Sequence, residues 1–276
     1  MNKFIFIRND DVRHIIEPEL EVFMDIIERQ KVPVSLAVEP ENITQPVINY
    51  LLAKHSFNPH LIEIIQHGLN HNIHQQYPYG IEFGGFRDYV SQMEDLQKGY
   101  ALMDNIFGNK WNKILTFPYG SYNYETLQAV EDLGYKAIST SISYLPESIL
   151  KDFIGNALHQ QIIFGKKVAY HCKIRKPFQF WDIGVSVNLI KKYLTYDTAM
   201  HYGLDSLIHM VERSFQHSNV IGILTHHRYH KAEDMRVFEN LIITLKEKGY
   251  IFLTISSIIE ILEKKLLKQI KDARSF

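Results

Sequence analysis

Phe4-Ile-Phe-Ile-Arg-Asn-Asp-Asp-Val12 opens the chain with four apolar residues that run directly into two adjacent carboxylates. A short apolar run bounded by polar residues suits a strand buried on both faces, as the strands of a parallel sheet are. The pattern recurs downstream: Val32-Pro-Val-Ser-Leu-Ala-Val38, Ile62-Glu-Ile-Ile65, Ile114 to Phe117, Ala137 to Thr140, Val220 to Leu224 and Ile251 to Thr254 all read as strands. Helical patterns lie between them. Pro18 to Gln30 gathers Leu20, Phe23, Ile26 and Ile27 on one face, and a shorter stretch surrounds Val47 to Ala53. Longer helices are expected over Tyr89 to Phe107, Tyr124 to Leu133, Leu204 to Phe215 and Lys231 to Lys248, with a last one after Thr254. Gly134 and Gly249 close two of them, the left-handed position that glycine favours after a helix. Repeated βα units predict a parallel sheet, and 276 residues without a Pro/Gly/Ser-rich linker predict one domain over residues 1–276.

Tyr144 to Ala199 breaks the rhythm. Gln161-Ile-Ile-Phe164 and Val168-Ala-Tyr-His-Cys172, separated by Gly165-Lys-Lys, read as a hairpin, and the remainder of 144–199 is expected to be an irregular insertion on the barrel, covering the site.

Composition narrows the partners. Thirty basic and 31 acidic residues leave a formal charge of −1, which argues against a broad electrostatic footprint for nucleic acid or anionic lipid. The basic tail from Glu263 to Arg274 reads as a solvated amphipathic helix rather than a membrane-surface one. No run of about 20 apolar residues is present to span a bilayer. Cys172 is the only cysteine, so an internal disulfide and a cysteine-based metal site are excluded, and a reducing, cytoplasmic location is the expectation. The oligomeric state has no signature in the sequence.

Four polar clusters each follow a strand: Arg8-Asn-Asp-Asp-Val12, His67-Gly-Leu-Asn-His71, Phe117-Pro-Tyr-Gly120 and Leu224-Thr-His-His-Arg228. In a parallel βα barrel those strand ends share one face, where catalytic residues converge. Asp10 and Asp11 would repel in a dry site unless a cation lay beside them; the alternative is a solvated acidic turn. His67 and His71, four apart, fall on one face of a helical turn within reach of one ion. Spacing alone is weak, because 14 histidines produce such pairs by chance and His226/His230 is a second. The place of the first pair after a strand, with Gly68 permitting a tight turn and an Asp nearby, strengthens it. Two histidines and one aspartate would leave a coordination position open for water, as catalytic zinc sites do. The second aspartate then serves as a base, and a histidine on the far wall as the acid. His226 and His227 are the candidates, with His227 expected to be a hydrogen-bonded structural residue.

These clusters, in this order, resemble the polysaccharide deacetylase superfamily, which includes carbohydrate esterase family four. Asn9-Asp10-Asp11 resembles its first motif, implying Asp10 as base and Asp11 as metal ligand; His67-Gly-Leu-Asn-His71 resembles its two-histidine metal motif. Thr116-Phe-Pro-Tyr-Gly120 resembles the third motif, implying an oxyanion donor in the Tyr119 backbone N–H. Ile223-Leu-Thr-His226 resembles the last, implying His226 as acid and Leu224 as lining of an acetyl pocket. The resemblance implies a distorted (β/α)7 TIM-like barrel, a divalent metal cofactor, most readily zinc, and removal of an acetyl group from an N- or O-acetylated sugar. Cobalt, nickel or iron would fit the same donors. Alternatives on this fold are hydrolysis of another non-peptide amide and an inactive glycan-binding barrel.

Two departures stand out. The family's third motif opens with an Arg that braces the base, yet Thr116 occupies that place, leaving Arg8 and Arg87 as candidate substitutes. The Asp and Trp pair that orients the acid histidine has no clean match, Trp181-Asp182 being the nearest. Glu82-Phe-Gly-Gly-Phe-Arg-Asp88 resembles a segment of a divergent branch and reads either as a ligand-contacting rim or as a loop that starts the long helix. Tyr77, Tyr79, Tyr119, Tyr122 and Tyr124 are candidates for stacking on sugar rings.

Overall fold

The computed structural model describes residues 2–76, 80–144, 146–158, 162–163, 166–167, 178–195 and 197–274. The first half alternates strictly: β1 (Phe4–Val12), α1 (Pro18–Gln30), β2 (Val34–Val38), α2 (Gln45–Phe57), β3 (Ile62–His67), α3 (Tyr89–Phe107), β4 (Trp111–Thr116), α4 (Tyr124–Asp132) and β5 (Ala137–Ser139). Then follow α5 (Pro146–Leu158), β6 (Ile162–Ile163), β7 (Lys166–Lys167), β8 (Trp181–Asp182), β9 (Val185–Asn188), β10 (Ile190–Tyr193) and β11 (Ala199–His201). The chain finishes with α6 (Leu204–Ser214), β12 (Val220–Thr225), α7 (Ala232–Glu247), β13 (Ile251–Phe252) and α8 (Ile255–Arg274).

The main sheet runs β8-β5-β4-β3-β2-β1-β12-β9, with β13 added to the start of β1, and its strand pairs are parallel. Its two ends belong to one stretch of chain. Residues 181–182 pair with β5 and 185–188 pair with β12, so 181–188 bends across and joins both ends of the curled sheet. The expected distorted barrel is therefore present, and 181–188 supplies its seventh stave. This corrects the reading of 144–199, apart from its hairpin, as irregular: α5 and this stave lie within it. The expected hairpin is corrected in register: Ile162–Ile163 pairs antiparallel with Lys166–Lys167, which the sequence pattern assigns to the turn, and Val168 to Cys172 falls outside the described residues.

Apolar side chains fill the barrel and seal its base. Phe6, Ala37, Ile65, Ile114, Ala137, Ile183, Val185 and Leu224 form one buried cluster with Ile255, Ile258 and Ile259 from the first turns of α8. A second, larger cluster packs the other strand faces against the surrounding helices, with Phe23 of α1 stacked on Phe238 of α7 at 5.2 Å. Among the described residues no helix is long and apolar enough to cross a membrane. With the base plugged, the opposite rim is the open end, and the four polar clusters sit there.

Candidate active site

β1 delivers both aspartates through a break in its pairing. Asn9 faces Leu36 and Val12 faces Val38 of β2, so Asp10 and Asp11 together oppose one residue, a bulge that re-aims their side chains. Asp11 takes φ 65°, and His71 and Tyr119 also lie in the left-handed region at 63° and 58°. Non-glycine residues are uncommon there. Only one other described non-glycine residue, Lys31 at the end of α1, shares it, so the backbone strain of this chain is concentrated on the proposed site.

His67 ends β3, but His71 is not on a helical turn, contrary to the spacing argument. The chain leaves β3 through Gly68 at φ 54° and loops, and His71 is turned inward by its own positive φ. Gly68 is required: a Cβ there would meet Glu82 Oε2 at 2.3 Å and the Pro118 ring at 2.6 Å. Glu82, fully buried, clamps this loop, its Oε1 accepting from the backbone N–H groups of Leu69, Asn70 and His71 at 3.0, 2.9 and 3.2 Å. Burial pushes the Glu82 carboxyl up against the pull of those donors.

Asp11 Oδ1 lies 3.2 Å from His67 Nε2 and 3.4 Å from His71 Nε2, buried and without a well-formed hydrogen bond among the described residues. Ligands bound tetrahedrally at about 2.0–2.1 Å lie roughly 3.3 Å from one another, so Asp11 is spaced from each histidine as a fellow donor to one ion, and all three donor atoms lie within 4.8 Å of one another. His67 Nδ1 meets Thr116 Oγ1 at 2.5 Å, which leaves Nε2 facing the site when Nδ1 carries the proton. The residues fit a metal. Burial opposes ionisation of Asp11, but His67 and His71 outweigh it and hold the carboxyl well below its usual range. His67 moves the other way: burial pulls it down, and the charges of Asp10 and Asp11 push it up further.

Asp10 is held from its own strand. The Arg8 guanidinium grips it bidentately, Nε to Oδ1 at 2.9 Å and Nη2 to Oδ2 at 2.8 Å, while Nη1 donates to the backbone oxygen and hydroxyl of Ser139 on β5. Arg8 thus supplies the brace that Thr116 does not. Arg87 points elsewhere, to Glu82 O, Ser91 O and Asp95, and supports the loop before α3. Asp88 caps that helix through Ser91 N, so the Glu82–Asp88 segment serves as structure.

His226 follows β12 on the far wall, and burial lowers its pKa despite the opposing charges of Asp11 and Asp10. Its Nδ1 lies 3.3 Å from the Tyr193 hydroxyl on β10. Tyr193 was not foreseen; residues from an antiparallel pair that returns to the rim carry no local motif. Trp181-Asp182 is not at the acid histidine: Asp182 accepts from Thr140, just after β5. His227 is the structural histidine expected, accepting from Asn9 Nδ2 at 2.8 Å and facing Glu17 at 3.0 Å. Tyr119 lies edge-on to His71 at 4.4 Å, its hydroxyl donating to His71 O, and burial with nearby carboxylates pushes that phenol up to about 12. Leu224 is buried inside the barrel; Tyr122 is buried against Phe117, Tyr124 packs on Phe178, and Tyr77 and Tyr79 lie outside the described residues.

The rim of this barrel gathers a His-His-Asp group that could hold a metal ion, a braced carboxylate and an opposed histidine. Residues 4–138, just under half of the chain, match the family model for polysaccharide deacetylase. No curated protein matches it in sequence. Among solved structures, a family 4 acetyl xylan esterase from Clostridium thermocellum, in complex with a cobalt ion, superposes with TM-score 0.56 at 10% identity, over 94% of this chain and 91% of that one. The Xyl-CE4 domain of a xylanase from the hindgut metagenome of Trinervitermes trinervoides gives 0.55 at 12%, with the same coverages of 94% and 91%. A family 4 pseudoenzyme from Bacillus anthracis gives 0.52 at 13%, over 93% of this chain and 65% of its own. At these identities the likeness carries the fold.

Proposed function

We propose that the chain is a metal-dependent hydrolase that removes an acetyl group from an N- or O-acetylated sugar, with Asp11, His67 and His71 holding a divalent metal, zinc by preference. The carrying observation is the buried, hydrogen-bond-deficient Asp11 Oδ1 beside two imidazole Nε2 atoms, with a separately braced carboxylate next to it. A divalent cation there supplies Lewis-acid polarisation of a carbonyl and acidifies water. Asp10 is the base that takes the proton from the attacking water; the Arg8 fork fixes its carboxylate and leaves a lone pair on each oxygen for that proton. His226, on the opposite wall, donates to the leaving nitrogen or oxygen. The backbone N–H of Tyr119 is the oxyanion donor, and Leu224 lines the acetyl pocket. A chain with a single cysteine suits the reducing cytoplasm.

The reading is tested by metal content, measured by mass spectrometry, and by acetate release from acetylated sugars. Wild type is expected to carry near-stoichiometric metal and His67→Ala/His71→Ala none. Asp10→Asn is expected to keep the metal and lose activity; a fully active Asp10→Asn would reject the base, and a metal-free wild type after reconstitution would reject the hydrolase.

A further inference from the structure

On the outer side of β12 lies a group of ionisable side chains that this chemistry leaves unused. His230 Nε2 sits 2.5 Å from Thr225 Oγ1, and His230 Nδ1 sits 2.9 Å from His201 Nε2. His201 Nδ1 is in turn 3.2 Å from Asp234 Oδ1, whose partner oxygen caps α7 through Lys231 N. His201, His230 and Asp234 could each offer a ligand atom to an ion. Their contacts, however, pass end to end through both nitrogens of each ring instead of converging on one point.

The proton positions follow from the carboxylate. Asp234 places a proton on His201 Nδ1, because a lone pair facing that anion would be repelled. His201 Nε2 is then an acceptor and receives a hydrogen bond from His230 Nδ1–H; His230 Nε2 accepts from the Thr225 hydroxyl. Every polar atom in the series is satisfied with both rings neutral. Burial favours that state, lowering His201 and, more strongly, His230, which also faces His201, His226 and His227. His201 faces Asp234 and Lys231. Leu189, Leu207 and Val237 supply apolar walls beside His201 and Asp234.

The placement gives the series a use. Thr225 immediately precedes His226, and His230 lies four residues after it, so the Thr225–His230 contact ties together the two ends of the 227–229 turn that displays His226. His227 pins the same turn to Asn9 of β1. We propose that Asp234, His201 and His230 form a hydrogen-bonded relay, ending on Thr225, that positions the acid histidine His226. The positioning claim rests on the hydrolase reading above; the relay itself does not.

The test separates the two. In full-length protein labelled with 15N-histidine, long-range proton–nitrogen spectra, assigned with His201→Gln and His230→Gln, are expected to find both residues neutral and in the Nδ1–H tautomer at neutral pH, whereas His227 is Nε2–H. Nε2–H tautomers at His201 and His230, or their displacement by added zinc in the His67→Ala/His71→Ala variant, would overturn the relay, the second outcome making the cluster a metal site. For positioning, His201→Gln and Thr225→Val are expected to lower kcat about tenfold with KM and metal content unchanged, and to shift the acidic-group limb of the pH–rate profile. Unchanged kcat and pH profile in both variants would refute it. An inactive wild type with the expected tautomers would sink the hydrolase reading and the positioning role while leaving the relay standing.

Discussion

Asp10 and Arg8 are two residues apart on one strand, both almost fully buried, and joined by two parallel hydrogen bonds. Such a pair contributes geometry more than stability, because desolvating both charges offsets most of their attraction. Its value to a base is that the carboxylate has one orientation. A lysine keeps the charge but offers a point donor in place of a fork, and cannot reach Ser139 and both Asp10 oxygens at once. Arg8→Lys is therefore expected to lower kcat by roughly tenfold to a hundredfold. KM and metal content should stay near wild type in the same preparations. Equal kcat in the two proteins would mean that Asp10 needs no brace. The role of Arg8 was only half visible in the sequence: the missing Arg at Thr116 called for a substitute, and Arg8 and Arg87 were equally eligible. What separates them is the curl of the sheet, which puts Ser139 of β5 within reach of β1 across the barrel. No local spacing encodes that.

At the level of elements, the strands that end in polar clusters were legible because each combines a short apolar run with a change of chemistry at the rim. The stave at 181–188 was missed because it is split between two partners. Its signal was present in another form: Trp181, Ile183, Val185 and Val187 alternate with Asp182, Gly184, Ser186 and Asn188. Alternation marks a strand whose two faces meet different surroundings. His71 shows the converse, where a helical spacing was realised by a loop held by Glu82. At the base of the barrel, Glu63 of β3 performs an analogous task for α8. Its carboxylate accepts from Ile255 N and Ser256 N at 3.0 Å each, from Ser35 Oγ at 2.5 Å and from Asn112 Nδ2 at 2.8 Å. An anion at a helix N-terminus satisfies the open N–H groups and complements the dipole. Glu63→Ala removes all four acceptor contacts and loosens the plug formed by Ile255, Ile258 and Ile259. A loss of about 3 kcal/mol is expected, read as a lower urea midpoint with unchanged slope. Metal content at the opposite rim should be untouched; a midpoint within error of wild type would show the cap to be dispensable.

For the molecule as a whole, the rim histidines couple stability to pH. His201, His226 and His230 all have lowered pKa values in the fold, with burial the first cause for each, so the unfolded chain binds protons at these positions more readily than the native one. Their contribution is fully present above the unfolded imidazole value of about 6.5 and is lost as pH falls through that value toward the lower folded one. His67 has the opposite sign, its raised pKa favouring the fold as it takes up a proton, so the total slope of the wild type is a difference between the two groups. A comparison at one residue removes that ambiguity. His230→Gln loses its contacts to Thr225 and His201 and is expected to be less stable than wild type at pH 7. It also lacks the group that must stay neutral at a cost of up to about 1.4 kcal/mol per pH unit. The gap between the two proteins should therefore narrow from pH 7 to pH 5, by about 1–2 kcal/mol in urea titrations at matched ionic strength. A gap that widened on acidification would mean that His230 is protonated in the fold, and with it that the neutral relay behind His226 does not exist.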